Sequence, residues 1–131
     1  MQTNPTYRDV VAEVIAFFDD RLERLTRCGV RREQIIFDPG IGFGKKIEHN
    51  LELLGSLRGF ARWDRPLLVG ASRKSFLGKA DGAEPKRRLA AGLACACLAV
   101  EAGVQLIRTH DVAETVQAVR MAEAILSSRK E

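Results

Sequence analysis

The chain is organised by three short apolar runs, each closed by glycine or charged residues and each separated from the next by a helix-length segment. The runs are Ile35-Ile36-Phe37, Pro66-Leu67-Leu68-Val69-Gly70 and Val104-Gln105-Leu106-Ile107. They are rich in aliphatic and β-branched residues, short, and bounded by turn residues, which is the pattern of buried strands. Their starts near residues 34, 66 and 104 are 32 and 38 residues apart. That is about one strand–helix unit each, so the strands are expected to run parallel beneath a cover of helices. The fold class expected is α/β, with three parallel strands at about 34–38, 66–70 and 104–108. No internal repeat is visible at that period.

Four helices accompany them, at about 7–28, 48–61, 85–102 and 111–126. In the first, Val10, Val11, Val14, Phe17, Phe18, Leu22 and Leu25 recur at helical spacing, with Gly29 as the stop. Leu51, Leu54, Leu57 and Phe60 form the inner face expected of the second. Pro85 suits the first turn of the Ala-rich third helix. Asp111 and Glu114 have capping-box spacing at the start of the fourth, where Val112, Val116, Val119, Ala122 and Ile125 are expected to face inward. The tail 127–131 is polar.

Composition narrows the function classes. Lys plus Arg is 21 and Asp plus Glu 17, a formal charge of +4. The basic residues are dispersed (Arg21, Arg24 and Arg27; Lys45 and Lys46; Arg73 and Lys74) and not gathered into a stripe. Aromatics are 6%, too few for a stacking platform. No nucleic-acid partner is therefore expected, and small anions suit the basic pairs better. No apolar run is long enough to span a membrane and no signal-peptide pattern opens the chain, so a cytoplasmic protein with no membrane partner is expected. Cys28, Cys95 and Cys97 are odd in number and suggest no disulfide framework. Cys95 and Cys97 would point about 200° apart on a helix, a poor metal pair.

In parallel α/β proteins, ligands gather at the C-terminal ends of strands. All three ends here are polar. The first delivers Asp38 and the loop Pro39-Gly40-Ile41-Gly42-Phe43-Gly44-Lys45. Asp38 is either a turn former before Pro39 or a carboxylate that accepts paired N–H donors from a heterocycle. The glycines let backbone approach a ligand, but the loop lacks the Gly-Lys-Ser/Thr ending of a P-loop. Phe43 is either an anchor into the core or one wall of an aromatic-ring site. The second end delivers Ser72, Arg73 and Lys74, either a solvated turn or part of the same rim. The third delivers Arg108, Thr109 and His110. Arg108 and His110 alternate, so they should leave the strand on one side, just before a helix N-terminus that favours anions. His49 reads as a surface residue at a helix start. No Ser-His-Asp triad and no zinc cluster emerge.

Taken together these segments resemble the dihydropteroate synthase family. The matching motifs are Asp38-Pro-Gly-Ile-Gly-Phe-Gly-Lys45, then Asn50 with Leu53-Leu54. They continue with Pro66-Leu-Leu-Val-Gly-Ala-Ser-Arg-Lys-Ser-Phe76 and Ile107-Arg-Thr-His-Asp-Val112 with Glu114-Thr115. Met1-Gln2 and Asn4 to Val11 are similar to the family's stretch after its fifth strand. The resemblance covers nearly the whole chain. Related pterin- or tetrahydrofolate-binding methyltransferase domains share mainly the fold and the Asp-Pro-Gly region. They are the alternative, together with a non-catalytic anion-binding fragment.

The resemblance implies a transferase of folate biosynthesis that joins 4-aminobenzoate to 6-hydroxymethyl-7,8-dihydropterin diphosphate and releases diphosphate. By residue, it implies that Asp38 and Lys74 hold the pterin. Arg108 would stack on the pterin and face phosphate, and His110 would bind diphosphate. Phe43, Ser72 and Arg73 would lie around the aminobenzoate. Lys74 and Arg108 are the implied catalytic residues. Mg²⁺ is the implied cofactor, with its protein ligand outside this chain and none of these residues ligating metal. The family domain is an eight-stranded TIM barrel, which needs at least about 200 residues. The chain has 131, so strands six to eight of such a barrel are expected, with strands one to five absent. Such a piece is expected to be inactive alone and to form a homo-oligomer through its exposed barrel face.

Overall fold

The computed structural model describes residues 6–79, 84 and 87–129. The elements are α1 (Val10–Arg27), a 3₁₀ turn (Arg32–Gln34), α2 (Ile47–Gly55), a longer 3₁₀ segment (Leu57–Trp63), β1 (Leu68–Val69), α3 (Ser75–Lys79), α4 (Leu89–Glu101), β2 (Leu106–Ile107) and α5 (Val112–Ser127). Pro85, Gly82 and the stretch Met1–Pro5 fall outside the described residues, and the third helix is seen from Leu89.

The expected parallel arrangement is present but shorter. β1 and β2 pair in parallel, with Leu68 opposite Leu106 and Val69 opposite Ile107. The first expected strand is reduced to one bridge, between Phe37 and Leu67. Phe37 N–H donates to Pro66 O (3.0 Å), and Leu68 N–H donates to Phe37 O (2.7 Å). The pairing stops there for local reasons. The chain leaves a 3₁₀ turn at Gln34, and Pro39 has no N–H to continue the ladder.

The expectation that these runs are buried on both sides holds for one side only. Ile35, Phe37, Leu67 and Val69 are buried, whereas the alternate residues Ile36 and Leu106 are 51% and 36% exposed. With period-two alternation, Ile36, Leu68 and Leu106 share the open face, and further along that face lie Asp38, Gly70 and Arg108.

The covered face packs on α1 through an aromatic cluster. Phe18 of α1 stacks on Phe37 at 4.4 Å and meets Phe60 and Trp63 edge-on at 5.9 and 5.5 Å. Trp63 Nε1–H donates to Asp19 Oδ1 at 2.6 Å, satisfying the polar end of a buried indole. α1 starts at a side-chain N-cap: Asp9 Oδ1 accepts from Ala12 N–H (2.9 Å), and Glu13 in the first turn accepts from Arg8 N–H (2.9 Å). It ends at Gly29, whose φ of 87° permits the reversal in which Val30 N–H donates to Leu25 O (3.0 Å). Val10, Phe18 and Leu22 are buried, but Phe17 and Leu25 are exposed, so the inner stripe is narrower than the sequence pattern suggested.

Two further faces are corrected. In the second helix the apolar residues that are buried are Leu53, Leu57 and Phe60, while Leu51 is exposed. The cause is a change of period, because the α-helix ends at Gly55 and continues as 3₁₀ turn. In α5 the face expected inward is open: Val112, Val116 and Ile125 are exposed, and the buried residue is Thr115. α3 appears where a loop was expected, its Phe76 and Leu77 buried.

Candidate functional site

The polar ends of the three runs meet on one rim. Asp38 follows the Phe37 bridge, and its Oδ1 accepts from Gly40 N–H (2.8 Å). This is the turn role read from sequence. The other oxygen, Oδ2, faces the Arg108 guanidinium at 3.5 Å. Asp38 therefore fills the turn role with one oxygen and meets a cation of the rim with the other.

The loop after Asp38 is held by a residue whose role the sequence did not give away. Asn50 is buried in the first turn of α2; its Oδ1 accepts from Gly42 N–H (2.6 Å) and its Nδ2 donates to Lys46 O (2.7 Å). The available signal was an amide on the apolar side of a helix, three residues before Leu53. His49 caps the same helix, its Nδ1 accepting from Lys46 N–H (3.1 Å), with the ring edge-on to Tyr7 at 5.0 Å. Lys45 turns back onto its own loop and donates to Gly40 O (3.1 Å) and Phe43 O (3.2 Å).

Two glycines act as platforms. A Cβ on Gly42, at φ 79°, would lie 2.6 Å from Lys74 Cδ, so the lysine stem passes directly over this backbone. A Cβ on Gly70 would lie 2.9 Å from Arg108 Nε and 3.0 Å from Nη2, so the guanidinium lies across the end of β1. Only residues without a Cβ permit these approaches.

Phe43 is not a core anchor. It is half-exposed, and Lys74 Nζ sits 3.3 Å from its ring centre. Burial lowers the Lys74 amine below the usual lysine value, and the nearby Arg108 charge lowers it further, with Asp38 opposing. Lys45 is lowered by burial and partly restored by Asp38.

Arg73 and Lys74 do not act as a pair. Arg73 takes left-handed backbone (φ 59°), and its side chain points to the start of α5. There Nη2 donates to Asp111 Oδ1 (2.6 Å) and Nε to Oδ2 (3.3 Å). This hydrogen-bonded pair holds the Asp111 carboxyl below its usual value and the guanidinium above its own. The capping role expected of Asp111 is therefore not observed: its side chain makes no cap bond. Thr109 Oγ1 receives Asp111 N–H (3.2 Å) instead.

Ser72 Oγ lies 3.1 Å from His110 Nδ1 and accepts from His110 N–H (3.2 Å). Arg108 and His110 thus turn to different partners, Asp38 and Ser72: Arg108 N–H still bonds Val69 O (2.9 Å) in the ladder, whereas His110 N–H bonds the Ser72 hydroxyl. Among the described residues there is no group of three or more His, Cys, Asp or Glu able to hold a metal ion, so the donor set does not fit a resident Mg²⁺. Among the described residues no helix is long and apolar enough to cross a membrane. Cys95 and Cys97 are half-buried free thiols; burial raises the Cys95 thiol, and Cys28 is exposed.

The rim thus offers a carboxylate, two cations resting on glycine backbone and an aromatic face, a combination suited to a flat, hydrogen-bonding ring with an anionic substituent. A family model for pterin binding enzyme matches residues 1–110. The chain belongs to the pterin binding enzyme family. It is 45% identical over 130 residues to the dihydropteroate synthase of Escherichia coli K12, covering 99% of this chain and 46% of that protein. Among solved structures of this family it is similar to the Yersinia pestis dihydropteroate synthase in a sulfonamide drug complex (TM-score 0.93, 40% identity, 98% of this chain and 47% of that one). It is also similar to the Xanthomonas albilineans dihydropteroate synthase in complex with 7,8-dihydropteroate (TM-score 0.92, 38% identity, 95% and 48%). The chain spans about half the length of the curated relatives it matches.

Proposed function

We propose that this chain carries part of a dihydropteroate synthase site, which condenses 4-aminobenzoate with 6-hydroxymethyl-7,8-dihydropterin diphosphate. The observation that carries the reading is the convergence of Asp38, Lys74 and Arg108 around Gly42 and Gly70 at the ends of parallel strands. In this reading Asp38 accepts N–H donors of the pterin, and Lys74 donates to the ring. Arg108 covers the ring and meets phosphate oxygens, His110 meets diphosphate, and Phe43, Ser72 and Arg73 border the arylamine.

The reaction needs no protein nucleophile. The amine lone pair of the arylamine forms the new bond to the pterin methylene. The C–O bond to diphosphate breaks with its electron pair on oxygen, and the nitrogen loses its proton to solvent or to the departing diphosphate. Arg108, Lys74 and His110 lower the barrier by stabilising the negative charge that develops on the leaving group. The family's Mg²⁺ would be held elsewhere than on these residues, and no step here depends on it.

The reading extends to three strands of an eight-stranded barrel in a cytoplasmic enzyme. The isolated chain is inactive in this view. It self-associates through the open face of Ile36, Leu68 and Leu106, since exposed sheet edges and apolar faces seek partners. Titration with a dihydropterin, with and without diphosphate, tests the site: binding should weaken in both Lys74→Ala and Arg108→Ala. Binding unchanged in both would leave only a non-catalytic fragment. Light scattering tests the association, and a monodisperse monomer at high concentration would count against it.

A further inference from the structure

We infer that Asp111 is a positioning residue for Arg73, fixing the direction in which the guanidinium meets the carboxylate of the arylamine. The inference rests on the reading of the rim as a substrate site. It starts from a doubled cross-link: two consecutive residues after β1, Ser72 and Arg73, pair with two consecutive residues after β2, His110 and Asp111.

The Arg73–Asp111 contact uses both carboxylate oxygens and two guanidinium nitrogens, the fork geometry that fixes orientation as well as distance. Nη1 makes no contact in this pair and is left for an incoming anion. The Asp111 carboxylate is only 22% exposed while the Arg73 side chain is 52% exposed, so the anchor is the more enclosed partner and the guanidinium the accessible one. The backbone explains why an anchor is needed. Arg73 sits at φ 59°, where a side chain with a Cβ is strained, and this turn carries it away from Lys74. The Asp111 side chain has no competing duty, because it caps nothing in α5. Its backbone is fixed independently: its N–H reaches Thr109 Oγ1, and its carbonyl accepts from the buried Thr115 Oγ1 (2.7 Å).

Asp111 thus holds Arg73 at the aryl edge of the rim without itself touching substrate. The selective consequence is charge matching. With one of its faces neutralised by Asp111, Arg73 suits a singly charged carboxylate better than a diphosphate.

The test uses the full chain with nitrogen-15 labelled arginine and 4-aminobenzoate as the probe. In the native chain and in Asp111→Glu, the Arg73 Nε–H signal should be resolved, slow to exchange and shifted by the probe. In Asp111→Asn, which keeps size but loses the charge and one of the two acceptor oxygens, exchange should quicken and the probe affinity should fall several-fold, while inorganic diphosphate binding should rise or hold. An Arg73 signal indifferent to Asp111→Asn overturns the inference, and so does a native Arg73 signal that 4-aminobenzoate leaves unmoved. Failure of the wider reading is separate and appears as dihydropterin binding that survives Lys74→Ala and Arg108→Ala.

Discussion

Two glycine substitutions, a few residues from the same ligands, should have opposite signatures. Gly70 has ordinary backbone geometry, so alanine there introduces no strain, and the new Cβ meets only the Arg108 guanidinium at 2.9–3.3 Å. That group is the far end of a flexible side chain and can swing away. What is lost is the 3.5 Å contact with Asp38, between side chains 56% and 34% exposed. A pair so exposed is worth about 0–1 kcal/mol, and the entropy advantage of alanine over glycine returns about 0.4–1 kcal/mol. The stability of Gly70→Ala should therefore stay within about 0.5 kcal/mol of the native chain. Gly42 differs because its φ is 79° and its Cβ would sit 2.6 Å from Lys74 Cδ. Left-handed backbone costs a residue with a Cβ roughly 1–2 kcal/mol. Gly42→Ala should lower the thermal midpoint by about 4 °C or more. Dihydropterin binding should nevertheless fall by about tenfold in Gly70→Ala, equivalent to about 1.4 kcal/mol, because Arg108 is displaced. Urea midpoints and fluorescence titration read the two quantities. The reasoning fails if Gly70→Ala loses as much stability as Gly42→Ala, or if it binds dihydropterin as well as the native chain.

Trp63→Phe should cost about 1–2 kcal/mol in urea unfolding, because it removes the Nε1–H bond to Asp19 and opens the aromatic cluster; a neutral result would mean that Asp19 adds nothing to the cluster. Asn50→Ala should cost about 1–3 kcal/mol by leaving Gly42 N–H without its partner and removing one of the two donors to Lys46 O, and hydrogen exchange at Gly42 should accelerate. Lys74 sets a pH dependence. In the folded chain it lies below the ordinary lysine value of 10.5. At pH below the folded value both states carry the proton, and the cost of burying the charge is fully present. As pH rises from the folded value toward 10.5, only the unfolded state keeps the proton, so stability increases. Lys74→Met should flatten that rise in unfolding midpoints measured up to about pH 10.5, leaving the share contributed by Lys45; an unchanged slope would contradict the burial of Lys74.

The strand ends were legible because they are written in local chemistry. A β-branched or aromatic run closed by Asp-Pro-Gly, Gly-Ala-Ser or Arg-Thr-His states where a strand stops and what it delivers. Helix faces were less legible. Leu51, Leu53, Leu54 and Leu57 fill more than one face of a helix, so apolar spacing admits two registers. The switch to 3₁₀ geometry after Gly55 selects the one containing Leu53, Leu57 and Phe60. The last helix shows a different limit. Its spacing of Val112, Val116, Val119 and Ile125 identifies the face that favours burial, but spacing carries no information on whether a partner lies against it. Among the described residues Val112, Val116 and Ile125 are exposed, with Val116 and Val119 bordering a groove of about 440 Å³ beside β2.

Side-chain partnership across the rim was the least legible layer, for a reason the basic pair makes plain. Adjacent residues share a backbone, so Arg73 and Lys74 read as one positive unit. One left-handed φ separates them, sending Arg73 to a carboxylate 38 residues ahead and Lys74 onto the ring of Phe43. The two cations thereby acquire opposite electrostatic settings. The hydrogen-bonded carboxylate of Asp111 holds the guanidinium charged, while burial and Arg108 push the ammonium toward losing its proton. In the proposed reading, a rim that treats an anionic ring substituent and a polar heterocycle differently requires that asymmetry. It arises here from a single dihedral angle and two glycines, neither of which has a side chain to declare its purpose in the sequence.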